Sequence, residues 1–95
     1  MLMLVTNSLL QVKRNRRDSL LIASDMLSYA VHGIGKTELM YKVGLSSAQL
    51  NRYMPSLIRS ELLEMRNHRS RPIYVTTAKG RNFLATFNAL SELIG

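Results

Sequence analysis

Cysteine and tryptophan are both absent from this 95-residue chain. Without thiols there is no disulfide framework, no thiolate zinc site and no Cys nucleophile, and only His32 and His68 remain as soft metal ligands. Acidic residues are scarce: six Asp and Glu face thirteen Lys and Arg, for a formal charge of +7. That balance favours a polyanionic partner. The 2 Pro and 5 Gly are too few, and the 46% of hydrophobic residues too many, for a disordered chain. One core is expected, since a chain of this size buries roughly two-thirds of its unfolded surface and divides no further.

Long apolar runs are missing as well. The stretch Met1 to Val5, continued by Leu9, Leu10 and Val12, is broken by Thr6, Asn7 and Ser8. It falls short of the ~20 residues that a membrane-spanning helix needs. A secretory signal carries its positive charge ahead of the apolar segment, and here the charge follows. Residues 1–12 read as an apolar N-terminal extension, open to roles as an added strand, a swapped arm, a dimer contact or a mobile start-site extension. Residues 13–95 read as one domain, cytoplasmic and nucleoid-associated, with no membrane partner.

Catalysis finds no support either. The carboxylates are scattered, and no arrangement of Ser, His and Asp is visible. Gly35, Lys36 and Thr37 look like the end of a nucleotide phosphate loop, but that loop requires a glycine where Ala30 stands and a strand where a helix is expected. The expectation is a protein that is not an enzyme, with no cofactor, no metal and no evident small-molecule ligand.

Positive charge, by contrast, is concentrated. Lys13, Arg14, Arg16 and Arg17 form one block, and Arg66, Arg69, Arg71, Lys79 and Arg81 form a second with no acid among them. Like charges held together repel in the free protein, so a chain that keeps them has something negative to set against them.

Hydrophobic periodicity then orders the chain. Leu20, Ala23, Leu27, Ala30 and Val31, widened by Ile22, Met26 and Tyr29, predict a first helix over Asp18 to Val31, ended by Gly33 and Gly35. A second helix from Lys36 or Thr37 to Val43 turns Leu39, Met40 and Val43 inward and stops at Gly44. Ser46 followed three residues later by Gln49 is a capping box, which opens a third helix. Its inward stripe is Leu50, Tyr53, Met54, Leu57 and Ile58, leaving Ala48, Arg52, Pro55, Ser56 and Arg59 outward. Pro55 predicts a bent or broken helix. Beyond Ser60 the pattern alternates: Leu63 and Met65, then Ile73 and Val75, mark two short strands joined by a basic turn from Asn67 to Pro72. Thr76 and Thr77 offer a cap for a last helix, 77–94, with Phe83, Leu84, Phe87, Leu90, Leu93 and Ile94 as its stripe.

Helix, helix, tight turn, helix, basic hairpin, helix is the winged helix-turn-helix order, an α+β fold, mostly α, with a three-helix core, a two-stranded wing and a C-terminal helix. The run Thr37 to Tyr53, with its Leu39–Met40–Tyr41 opening and Leu45–Ser46–Ser47–Ala48–Gln49–Leu50, resembles the helix-turn-helix of small archaeal winged-helix regulators. Tyr74 to Leu84, through Thr76–Thr77–Ala78–Lys79–Gly80, is similar to the segment after the wing in the same proteins. The resemblance runs from about Arg14 to the C-terminus. It implies DNA binding, as a homodimer joined through the last helix.

The chemistry of duplex DNA then selects residues. Bases are read by donors and acceptors, so Arg52 suits guanine, Gln49 and Asn51 suit adenine, and Ser47 suits a phosphate or either base. Gln49 has a competing role as capping-box partner. Arg14, Arg16, Arg17, Lys36, Thr37, Arg59, His68, Arg69 and Arg71 are expected on the backbone or in a minor groove, where narrow width and negative potential reward Arg. Phe83, Phe87, Leu90 and Ile94, spaced 4, 3, 4, are the candidate dimer interface. A sequence-specific transcription regulator on double-stranded DNA is the leading expectation. An architectural or chromatin protein with little base preference is the alternative, and a protein-interaction module the third.

Overall fold

The computed structural model describes residues 19–94. The extension 1–12 and the basic block with Arg14, Arg16 and Arg17 lie outside the described residues. Five elements follow one another after the first helix α1, which is described over 19–29: α2 (Lys36–Val43), α3 (Ser47–Arg59), β1 (Leu63–His68), β2 (Arg71–Thr76) and α4 (Ala78–Ile94). The order is that of the winged helix-turn-helix, mostly helical with one antiparallel hairpin.

α1 contributes Met26 and Leu27 to the core, and Ala30, just past its end, is equally buried. The helix stops before the predicted Val31, since residues 30–32 form a turn in which the Gly33 N–H donates to the Ala30 carbonyl at 3.1 Å. Its buried stripe is also narrower than expected. Leu20 and Tyr29, expected on it, are about half exposed, and so is Leu21; the sheet is hydrogen-bonded to this segment at Leu27 and Ala30. There the Thr76 hydroxyl donates to the Leu27 carbonyl at 2.6 Å and the Thr76 N–H to Ala30 at 2.9 Å. Ile34 pairs with Tyr74 through reciprocal backbone bonds of 2.8 and 3.0 Å, so β2 lies between β1 and this segment.

α2 begins after Gly35, buries Leu39 completely and ends at Gly44, whose φ of 80° is the left-handed value that favours glycine. α3 opens on the predicted capping box: the Gln49 N–H donates to Ser46 Oγ at 3.2 Å and the Ser46 N–H to Gln49 Oε1 at 3.0 Å. Leu50, Met54 and Leu57 are buried, Tyr53 is half-buried, and Ile58, expected inside, is exposed on the flank. Of the bent or broken helix expected at Pro55, the break does not occur: α3 is one continuous helix from Ser47 to Arg59. Pro55 is exposed, so water can take the Asn51 carbonyl that loses its backbone donor.

The hairpin is longer than predicted. Its register pairs Asn67 with Pro72 and His68 with Arg71, which leaves only Arg69 and Ser70 in the turn, both at positive φ (53° and 67°) as in a type I′ connection. Its inward face also differs from the expectation. Leu63, Tyr74 and Thr76 are buried, whereas Ile73 and Val75 are half-buried on the opposite face, resting over Gly33. Met65 shares the face of Leu63 but sits two residues further out, where the hairpin leaves the core, and is 55% exposed.

Thr77 alone separates β2 from α4, and it caps that helix by accepting from the Gly80 N–H at 3.0 Å. Its own hydroxyl donates to the Glu61 carbonyl at 2.6 Å, while Lys79 Nζ donates to Ser60 at 2.9 Å. Gly80 lets α4 lie directly on the chain at Leu62: a Cβ there would meet the Leu62 carbonyl and stand 2.6 Å from Thr76 Cγ2. Leu84 closes the core, and past Phe87 the helix runs with its apolar side chains open. Among the described residues no helix is long and apolar enough to cross a membrane.

Candidate nucleic-acid interface

α3 carries its charge on the side away from Leu50, Met54 and Leu57. Arg52 and Arg59 stand seven residues apart, which on a helix is one line, and both are exposed. Ser56 lies between them and accepts from Arg59 Nη2 at 3.4 Å. Neither arginine makes an ion pair within the described residues, where the single salt bridge joins Arg66 and Glu64. The predicted base-reading set is thus divided. Arg52 occupies the outward ridge; Gln49 is exposed but its Oε1 is taken by the Ser46 N–H. Ser47 donates to Met40 Sδ at 3.6 Å, and Asn51 is turned toward α2.

Lys36, Thr37, Ser47 and Asn51 come together around a cleft of about 260 Å³ between α2 and α3, floored by Met40 and Leu50. This joins two residues predicted as backbone contacts with two predicted as base readers. Thr37 does not cap α2; that place belongs to Gly35, which has no side chain to offer.

The wing brings His68 and Arg71 opposite each other as the last pair of the ladder, with Arg69 in the turn beyond them. All three are exposed. Arg66, counted in the same basic block, has its charge met: its Nε donates to Glu64 Oε1 at 2.6 Å. The i, i+2 spacing of Glu64 and Arg66 carries that signal, because it puts both on one face of a strand. Lys79 and Arg81 are engaged with backbone carbonyls of Ser60 and Thr76. The basic side chains of the second block that make no hydrogen bond among the described residues are therefore those at the hairpin end, Arg69 and Arg71.

Residues 16–95 match the family model described as winged helix-turn-helix. The chain belongs to that family. No curated protein sequence matches it. Among solved structures this winged-helix chain is similar to Sso10a-2, a DNA-binding protein from Sulfolobus solfataricus, with a TM-score of 0.67 and 21% identity over 78% of each chain. It is similar to a mutant of S. aureus MepR bound to an oligodeoxyribonucleotide, with a TM-score of 0.68 and 11% identity over 99% of this chain and 78% of that one. NolR from Sinorhizobium fredii follows the same winged-helix path at a TM-score of 0.60 and 21% identity, over 87% and 88% of the two chains. At these identities the likeness is one of fold.

Proposed function

We propose that the chain is a double-stranded DNA-binding transcriptional regulator that lays α3 in the major groove and sets its basic wing on the backbone or in the minor groove. The observation that carries this reading is the outward ridge of α3, where Arg52 and Arg59 stand free of ion pairs among the described residues on a capped helix anchored by Leu50, Met54 and Leu57. A buried stripe opposite a polar, basic ridge is what a helix needs to enter a groove and present donors to base edges. The names of its structural neighbours add support: one is called a DNA-binding protein, and another was solved with an oligodeoxyribonucleotide. The reading assigns no catalysis.

Within it, Arg52 contacts bases, with Ser47, Asn51 and the free amide group of Gln49 beside it. Lys36, Thr37, Arg59, His68, Arg69 and Arg71 take the phosphates or the minor groove, and so do Arg14, Arg16 and Arg17. Two copies join through α4. There Leu90 is 52% exposed and Ile94 83% exposed, continuing a stripe begun by Phe83 and Phe87, whose rings stack at 6.2 Å. A net charge of +7 favours a second reading, an architectural protein that binds by charge and shape.

Fluorescence anisotropy on the DNA upstream of the protein's own gene, against a shuffled duplex of equal composition and at several salt concentrations, separates the two. A preference of about a thousandfold or more is expected of the regulator. Equal affinities with a steep salt slope would select the architectural reading, and no binding at low salt would end both.

A further inference from the structure

α3 is held at its two ends by different means. Its start is closed by its own sequence, through the capping box of Ser46 and Gln49. Its end is not. After the C-cap Ser60, the Glu61 N–H donates to the Ile58 carbonyl and the Leu62 N–H to the Leu57 carbonyl, both at 3.0 Å, which is the bond pattern of a helix that exits through a left-handed residue. Glycine ordinarily stands at that place, as Gly44 does behind α2; here it is Glu61, at a φ of 63°. For a residue with a Cβ this conformation is unfavourable, and it persists where the surroundings over-determine it.

The first turn of α4 supplies those surroundings. Three consecutive carbonyls of the exit turn accept from it: Ser60 from Lys79 Nζ at 2.9 Å, Glu61 from the Thr77 hydroxyl at 2.6 Å and Leu62 from the Thr77 N–H at 3.1 Å. Lys79 is the charged donor of this set, and its ammonium meets the negative end of the α3 dipole. Thr77 also caps α4, whereas the exposed Lys79 side chain bonds the exit turn alone among the described residues. We infer that Lys79 is a positioning residue for α3: reaching back from α4, it closes the exit turn, fixes the direction of the last helical turn and so sets where Arg59 and Arg52 point, without touching DNA itself. Base reading depends on that direction, because a hydrogen bond to a base edge weakens steeply with angle, whereas the attraction of phosphates is insensitive to it. The consequence for base reading rests on the proposal that α3 enters the groove; the closing of α3 does not.

The test compares the full chain with Lys79→Met, which keeps the apolar stem and loses the ammonium, and with Lys79→Arg, which keeps a charged donor. In the free protein, hydrogen exchange of the Ser60, Glu61 and Leu62 amides should quicken about tenfold in Lys79→Met, the loss of one charge-assisted bond, while the amides of Leu50 and Met54 keep their rates. Lys79→Arg should hold the original rates, and adding Glu61→Gly to Lys79→Met should return them, since glycine keeps a positive φ unaided. On DNA, anisotropy with the duplex from upstream of the protein's own gene and with its shuffled counterpart should show Lys79→Met losing about threefold to tenfold of the preference, through weaker binding of the first duplex, and Lys79→Arg retaining it. Unchanged exchange in Lys79→Met, faster exchange that neither Lys79→Arg nor Glu61→Gly corrects, or faster exchange with the preference intact would each overturn the inference. An equal loss on both duplexes, with a salt slope lower by about one, would make Lys79 a phosphate contact and overturn it as well. An unaltered chain that binds neither duplex, or both alike, would end the regulator reading and Lys79's part in base reading with it, while the exchange rates would still decide whether Lys79 closes α3.

Discussion

Arg52 projects from α3 with no ion-pair partner among the described residues, so its guanidinium is free to make two parallel bonds to a guanine edge. Arg52→Ala should cost about 1–3 kcal/mol on the preferred duplex and relax the preference at one base pair, read by anisotropy on a set of single-pair variants. Arg69→Ala, at the wing turn, should instead weaken all duplexes alike and lower the salt slope by about one. Gly80 answers to a different physics. The space for its missing Cβ is filled by the Leu62 carbonyl and by Thr76 Cγ2 at 2.6 Å. Gly80→Ala should destabilise the fold by about 2 kcal/mol, lowering Tm by roughly 10 °C in a thermal melt followed by circular dichroism.

At the scale of elements, α3 stays helical through Pro55 while lacking one backbone bond. Pro55→Ala restores that donor to the Asn51 carbonyl and should raise stability by about 1–3 kcal/mol, seen as a higher midpoint in urea unfolding. The helices were the most legible part of the sequence. Ser46 and Gln49 announce the start of α3 by local chemistry alone, and Gly44 announces the end of α2, so neither depends on distant partners. Faces that depend on distant partners were not legible. Ile73 and Val75 alternate as a core face should, yet Tyr74 and Thr76 hold the core side because both faces of β2 are covered, one by the core and one by Gly33. Leu20 and Ile58 fit their helical stripes and are exposed all the same, since a stripe marks an apolar face without naming what covers each position on it. The candidate interface is legible as exposed residue types and less so as roles: Gln49, a candidate base reader, has its oxygen taken by the capping box, and Asn51 lines the cleft between α2 and α3.

The whole molecule leaves the far half of α4 with its leucines open, Leu93 at 83% exposure. Sedimentation equilibrium should find a dimer, and Leu90→Glu should shift it to a folded monomer whose melting temperature no longer rises with protein concentration, since Leu90 is already half exposed in one copy. Dimer loss should also reduce affinity for a two-fold site far more than for a single half-site. The corner at Thr77 would give such a pairing a further meaning. One residue joins the wing to α4, with its hydroxyl bound to Glu61 and Lys79 bound to Ser60, so the last helix is fastened to the very end of α3. A pair of such helices would act as a calliper whose jaws are the two copies of α3. The number of base pairs between half-sites would then be written into the crossing angle of α4, and one residue inserted after Thr77 would misread the operator by rotating every jaw about its corner.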